Sequence, residues 1–397
     1  MMSLPLEGLR VLTLEQYGAG PYCSMFMADM GAEVIKIENP STGGDFARST
    51  GPYFLGENDS EYFQAFNLNK RSLTLDLKSE KGLEVFHKLV ETADAVINNM
   101  RGNQPAKLGL DYAALKAINP KVVCGHISAY GRDNSRASWP GYDYLMQAEA
   151  GFLSVTGEPD GPPARFGLSL IDFMTGTMLA YGVTAVITKA QKTGEGGDVD
   201  VSLMEAALHQ LTYPGVWYLN EGLVTGRAPR GAHPSVTPSQ LVKSKDGWVF
   251  IMCQNPKFWD LLVDGLDRDD LREDPRFSDL ASRLENRAAL TEVLDDVFSE
   301  KTAESWVDKF KGIIPISPVY DMAQALDNPF VEELNMITEV DHPDRPGMRV
   351  LNNPIRLNGE RVPIKSAPKL GADTDEILKN IGYADSDISA MRNEGAI

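Results

Sequence analysis

"LRVLTLEQYGAGPYCSMFMADMGAEVIKIE", residues 9–38, changes its hydrophobic period twice in thirty residues. Residues 9–15 read as a buried strand. The segment "GPYCSMFMADMG" reads as a helix with Pro21 in its first turn, and "AEVIKIE" as a second buried strand. The pattern continues to residue 130. "SLTLDL" is a strand, "SEKGLEVFHKLVETA" a helix capped by Ser79, and "DAVINNM" a strand. A helical stretch then spans Tyr112 to Ile118, and "KVVCGHISAYG" is a further strand. Strands that alternate with helices of this length predict a mostly parallel sheet covered on both faces, an α/β, Rossmann-like domain. Ligands of such sheets gather where the strands end. Here those are the loops around residues 15–20, 38–48, 77–79, 98–104 and 128–143.

The same stretch carries a partial dinucleotide fingerprint. Gly18-x-Gly20 lies between strand and helix, and Glu38 ends the next strand twenty residues on, where a ribose-binding acid belongs. Cys23 occupies the place of the third glycine, so the nicotinamide reading is weak. A tight turn feeding a helix explains the glycines equally well.

Beyond residue 165 comes "GLSLIDFMTGTMLAYG", in which Asp172 interrupts an apolar run with no Lys or Arg between Arg165 and Lys189. The run from Phe173 to Ile187 is 15 residues long, too short for a membrane span. A helix apolar on nearly every face belongs in a protein core. Asp is a favoured N-cap, and that structural role accounts for its type. The functional role accounts for more: at a helix start, in apolar surroundings, a carboxylate stays ionised without a salt bridge and keeps an oxygen free to attack an electrophile. Gly176, one turn on, admits another backbone or a ligand.

A second strand–helix pair, "VDVSLMEAALHQLTY", follows. The Gly- and Pro-rich "GLVTGRAPRGAHPSVTPSQ" then reads as a linker, "LVKSKDGWVFIMC" as a hairpin around Asp246-Gly247, and the residues up to 312 as acidic amphipathic helices. The expected organisation is a large domain over 1–224, a smaller inserted α+β domain over 225–325, and a segment over 326–397 that returns to the first.

Of the chain's 397 residues, 43% are hydrophobic and 24% charged, as in an ordinary soluble protein. A formal charge of −18 argues against nucleic acid or an anionic membrane as partner. It leaves room for a phosphorylated small molecule, which needs only a few local cations. Cys23, Cys124 and Cys253 are far apart and lack ligand spacing, so no metal is expected. With no secretory signal visible, a reduced, cytoplasmic setting is the simplest expectation. His87, His209 and His342 fit solvated or satisfied roles. His126 fits a core histidine near a strand end, and His233 lies in the linker, where it is free to face a cleft.

Six blocks in this order resemble the family III CoA-transferases, also called the CaiB/BaiF family: residues 8–40, "NLNKRSLTLDLKSEKG", "NNMRGNQPAKLGLDYAALKAINPKVV", "WPGYDYLMQAEAGFLSVTGEPDGPP", "LIDFMTGTMLAYGV" and "APKLGADTDEIL". The resemblance implies an interlocked homodimer, with acyl-CoA and small carboxylic acids as substrates and no tightly bound cofactor. It places the nucleophile on Asp172 and coenzyme A contacts on Gln16, Ala19, Leu75, Lys78, Asn99, Met100 and Lys107. Some relatives carry an Arg where this chain has Asn39, so the expectation is either that Arg48 or Lys70 takes that phosphate or that the contact is weaker. The racemases of the family have His-Asp where this chain has Tyr142-Asp143. Tyrosine is a poor base at neutral pH, so transfer is expected over racemisation, with His126 the one substitute base and Tyr142 a donor to substrate oxygen. "RGAHPS" replaces the glycine run of the oxalate transferases, which argues against oxalate as acceptor.

Overall fold

The computed structural model describes residues 3–397. Six parallel strands form one sheet in the order β3-β2-β1-β4-β5-β6. Their ranges are β1 Arg10–Leu14, β2 Glu33–Glu38, β3 Arg71–Thr74, β4 Ala95–Asn98, β5 Val123–Ser128 and β6 Gly197–Ser202. Up to residue 209 the chain also forms the helices α1 Ala19–Asp29, α2 Glu61–Asn67, α3 Glu80–Val90, α4 Tyr112–Leu115, α5 Asp143–Glu149, α6 Phe152–Val155, α7 Leu170–Thr193 and α8 Leu203–His209. The order reverses between β1 and β4, the switch point at which dinucleotide-type folds open a ligand crevice. Register places Leu12 beside both Ile35 and Val96. With Leu73, Phe86, Leu89 and Cys124 these residues form a buried apolar core. Ser79 caps α3 through Gly82 N–H, as the sequence implied.

The chain divides into two compact units. The first comprises residues 1–150, 167–211 and 332–397, the second 151–166 and 212–331. The sequence reading placed boundaries at 224 and 325 and assigned 151–166 to the large domain. Hydrogen bonding explains the difference: Arg227 donates to the carbonyls of Glu158, Gly161 and Pro162, and Arg230 N–H to the Glu158 carboxylate. The Gly- and Pro-rich stretch is therefore no linker. Arg287 fastens it further, donating to Thr237 and to the carbonyls of His233 and Val236. The second unit has its own core, and its sheet begins with the hairpin β7 Ser239–Lys243 and β8 Trp248–Met252. In the first unit the C-terminal segment docks on β3, where Asp373 and Thr374 accept the N–H groups of Ser72 and Thr74.

Helix α7 has 24 residues, longer than the apolar run suggested and, by length and composition alone, long enough to cross a membrane. It buries one face, Ile171, Thr175, Leu179, Val183, Ile187 and Ala190, while Tyr181 is 79% exposed. Burial on nearly every face is thus not met within one chain. Gly176 is where α1 crosses: a Cβ there would stand 2.6 Å from the Ala19 carbonyl oxygen, so glycine sets the helix spacing.

Candidate active site

A cleft of about 640 Å³ opens at the strand ends of the first unit. Its walls are Leu14–Ala19 after β1, Leu75–Lys78 after β3, Asn99–Arg101 after β4, Ile127–Ala129 and Trp139–Tyr142 after β5, and Asp172.

Asp172 is the third residue of α7, not its cap; Ser169 holds that position and makes no side-chain cap bond. The cap-like contact comes from another helix. Asp143, the buried first residue of α5, accepts the Asp172 N–H on Oδ2 at 3.0 Å and holds Gln147 on Oδ1. Asp143 thereby occupies the positive end of α7 and sets a negative charge beside Asp172. Burial, and secondarily the Asp143 charge, push the Asp172 carboxyl up to about 7. Four other carboxylates line the cleft, and each is engaged. Glu15 pairs with Lys70 and accepts from Ser24. Glu38 takes Arg48 through both oxygens and Ser72 besides. Asp45 pairs with Lys36, and Asp76 accepts from Lys78 N–H and Asn39. Among the described residues none donates a hydrogen bond to the Asp172 carboxylate.

The loop facing Asp172 is tightly fixed. Asn99 brackets Gln16, accepting its N–H at 2.9 Å and donating to its carbonyl at 2.7 Å. Tyr17 follows with φ 65°, a left-handed conformation that costs a side-chain-bearing residue ~1–2 kcal/mol. Its N–H is held by Asp45, whose other oxygen lies 2.8 Å from the fully buried Lys36 ammonium. Lys36 also donates to the Glu15 carbonyl. The turn presses Gly18 against the nucleophile candidate: a Cβ there would come within 2.7 Å of Asp172 Oδ2. After it, α1 begins at Ala19 with N–H groups a helix cannot satisfy internally. The Tyr17 ring meets Phe46, Tyr62 and Tyr142, forming an aromatic wall. Burial, with the Asp172 charge next in weight, pushes the Tyr62 phenol up to about 12.

Gln16, Ala19, Leu75, Lys78, Asn99, Met100, Tyr142 and Asp172 all line this one cleft. Lys107 does not. It sits exposed on the 3-10 turn Ala106–Leu108, which turns Leu108 inward instead, and Arg101 supplies the second cation. Neither Arg48 nor Lys70 replaces the Arg expected at Asn39. Arg48 is buried on Glu38, and Lys70 is buried among Glu15, Asn67 and the Pro21 carbonyl, where desolvation pushes it down to about 8. His126 is no substitute base either, since its ring nitrogens are taken by Asn98 and Asp198 and it is not among the residues lining the cleft. Glu38, spent on Arg48 and Ser72, is unavailable to a ribose, which removes the dinucleotide reading. Sequence reasoning missed Arg101, Asp143 and Trp139. All three stand within quoted blocks; Arg101 and Trp139 carried a signal by type, and Asp143 was named beside Tyr142, but its bond to the Asp172 N–H shows only in three dimensions.

These features define an α/β protein whose strand-end cleft offers two cations to an extended anionic ligand and one unpartnered carboxylate to an electrophile. Residues 6–374 match the model of CoA-transferase family III, and the chain belongs to that family of enzymes. It is 34% identical over 395 residues to the succinyl-CoA:mesaconate CoA-transferase of Haloarcula hispanica, covering 95% of this chain and 96% of that one. The human succinyl-CoA:glutarate CoA-transferase is 30% identical over 401 residues, 99% of this chain and 90% of that one. A crystal structure of a CaiB/BaiF family protein from Brucella suis matches with a TM-score of 0.84 at 32% identity, over 96% of this chain and 100% of that one.

Proposed function

We propose that this enzyme transfers CoA from an acyl-CoA to a free carboxylic acid through covalent intermediates on Asp172. An Asp172 oxygen attacks the thioester carbon and CoA leaves as thiolate, giving a mixed anhydride. The thiolate then attacks the aspartyl carbonyl, releasing the donor acid and leaving an aspartyl-CoA thioester. The acceptor carboxylate attacks that carbonyl and expels the thiolate. The thiolate closes the cycle at the acyl carbonyl of the second anhydride, which frees Asp172 and yields the new acyl-CoA. Each step exchanges one acyl bond for another, so the thioester's free energy is conserved.

The observation that carries this reading is that, of five cleft carboxylates, Asp172 alone has no donor on it. A nucleophile needs a free lone pair, and the other four are committed to structure. Lys78 and Arg101 suit the phosphates of coenzyme A, and Gln16, Leu75, Asn99 and Met100 suit its arm. The first N–H groups of α1, at Ala19, and the Tyr142 hydroxyl suit the oxyanions that form beside Asp172. The apolar flanks of α7 limit hydrolysis of the anhydrides.

The names of the relatives make succinyl-CoA with mesaconate or glutarate the first pairs to assay. Asp172→Asn is expected to abolish exchange while CoA still binds; exchange at the wild-type rate in this variant refutes the mechanism. An interlocked homodimer belongs to the same proposal. It is supported by the uncovered side of α7 around Tyr181 and by exposed Val216 and Leu219 on a helix of the second unit. Light scattering that returns the mass of one chain rejects it.

A further inference from the structure

One wall of the cleft has no part in the chemistry above. Trp139 lines it, its side chain 49% exposed yet held on two sides. The Arg136 guanidinium lies over the indole at 4.8 Å, and the Tyr130 ring meets it edge-on at 5.9 Å. The props are themselves tied. Arg136 pairs with Glu149, Glu149 accepts the Tyr130 hydroxyl at 2.8 Å, and Arg136 also lies over the Tyr130 ring. Trp139 N–H closes a turn on the Arg136 carbonyl. An exposed indole is ordinarily free to change rotamer; this one has been fixed before any ligand arrives, which lowers the entropy lost on binding.

The loop bearing Trp139 is joined to the segment that bears the cleft's second cation. Asn103 N–H donates to the Ala137 carbonyl, two residues before the indole and two after Arg101. Trp139 and Arg101 thus stand on two joined loops that line the cleft together with Gln104 and Leu108. Resting on the CoA-transferase reading, we propose that Trp139 is a stacking platform for the adenine ring of coenzyme A. Adenine is the one flat π-system in that ligand and it is joined to the phosphates, so a fixed indole beside a phosphate-binding cation meets it and not the thioester.

Binding of CoA, 3′-dephospho-CoA and pantetheine, measured by calorimetry on the intact protein, separates the parts of the ligand. Trp139→Leu fills the space without an aromatic face. It is expected to weaken CoA and dephospho-CoA alike by about tenfold, within the range for a base stacked on an aromatic side chain, and to leave pantetheine unchanged. Trp139→Phe keeps a π-face and the packing, and is expected to retain most of the affinity. Arg136→Gln, which frees the indole, is expected to give a smaller loss of the same pattern. Equal weakening of all three ligands, or none of CoA, overturns the assignment. If the wild-type protein binds no CoA, the functional reading falls and this inference with it; if it does and Trp139→Leu binds equally well, only this inference falls.

Discussion

Asp143→Asn isolates the charge beside the proposed nucleophile from the hydrogen bond that holds it. The amide oxygen keeps an acceptor for the Asp172 N–H, now met at 3.0 Å, so the start of α7 stays in place, while the Gln147 amide, which now donates to Oδ1, must turn over to accept from the new Nδ2. What disappears is the negative charge, the second cause after burial of a carboxyl raised from 3.8 to about 7. Burial is the larger cause, so the neighbour accounts for less than half of that rise, roughly one pH unit, or ~1.4 kcal/mol. In the proposed mechanism the reactive form is the carboxylate. Wild-type exchange therefore rises with pH through about 7, and in the variant the same rise falls about one unit lower. At pH 8 both are ionised and the rates match within about twofold; at pH 6 the variant carries about five times more carboxylate and is faster by that factor. The assay is kcat/KM for CoA exchange across this range, which reports the free enzyme. Superimposable profiles, or a variant whose limb moves upward, refute the electrostatic role given to Asp143.

Three further outcomes follow from the same geometry. Asp172→Asn removes a group whose folded value is raised, so wild-type stability declines as pH rises from the unfolded value toward about 7; above that range the variant is expected to be more stable by ~1–2 kcal/mol after allowance for solvent in the cleft, and a lower melting temperature at pH 8 contradicts this. Lys36→Met strands Asp45 as a buried charge and is expected to cost ~3–5 kcal/mol in urea unfolding, because Asp45 is held by Lys36 in both folding and the Tyr17 turn; a loss under about 1 kcal/mol shows that the pair is dispensable. Gly18→Ala drives a methyl to 2.7 Å from Asp172 Oδ2, so kcat is expected to fall by about 10- to 100-fold with the KM for acyl-CoA within about threefold; a change in KM alone shows that the turn serves binding and not the nucleophile.

The sheet was legible because its signals are local. Residues 9–38 carry two changes of period, Ser79 caps its helix from its own first turn, and Asp246-Gly247 closes a hairpin between paired strands. Asp172 was legible for the opposite reason, as a charge in a place where nothing nearby neutralises it. Features set by distant partners stayed hidden. Arg48 and Lys70 look like free cations in sequence, but Glu38 and Glu15 consume them once strands β2 and β1 are packed. Lys107 and Arg101 are both basic residues after β4, and only the geometry of one 3-10 turn decides which faces the cleft. Glycine and proline made residues 222–240 resemble a linker; composition cannot show that Arg227 ties the stretch to residues 158–162 and that Arg287 donates to its carbonyls.

The distribution of charge around the cleft is the one that the proposed covalent transfer demands. A carboxylate that must attack carbon cannot be paired, because a salt bridge would both lower its basicity and occupy its lone pairs. Leaving it unpaired costs stability, and it also leaves the side chain without the contacts that would fix its position. Position must then come from the surroundings. Here it comes from the backbone: Asp143 holds the Asp172 N–H from one side, and Gly18 closes on the carboxylate from the other. Gly18 can do so only if Tyr17 keeps its strained turn. The buried ion pairs lie where they maintain it, with Lys36 between Asp45 and the Glu15 carbonyl and Lys70 on the Glu15 carboxylate. Isolated buried pairs are weak sources of net stability, but they are highly directional. Six buried charged side chains, Glu15, Lys36, Glu38, Asp45, Arg48 and Lys70, are thus committed to holding the strand-end loops, and the one carboxylate they leave free is the one the proposed mechanism uses.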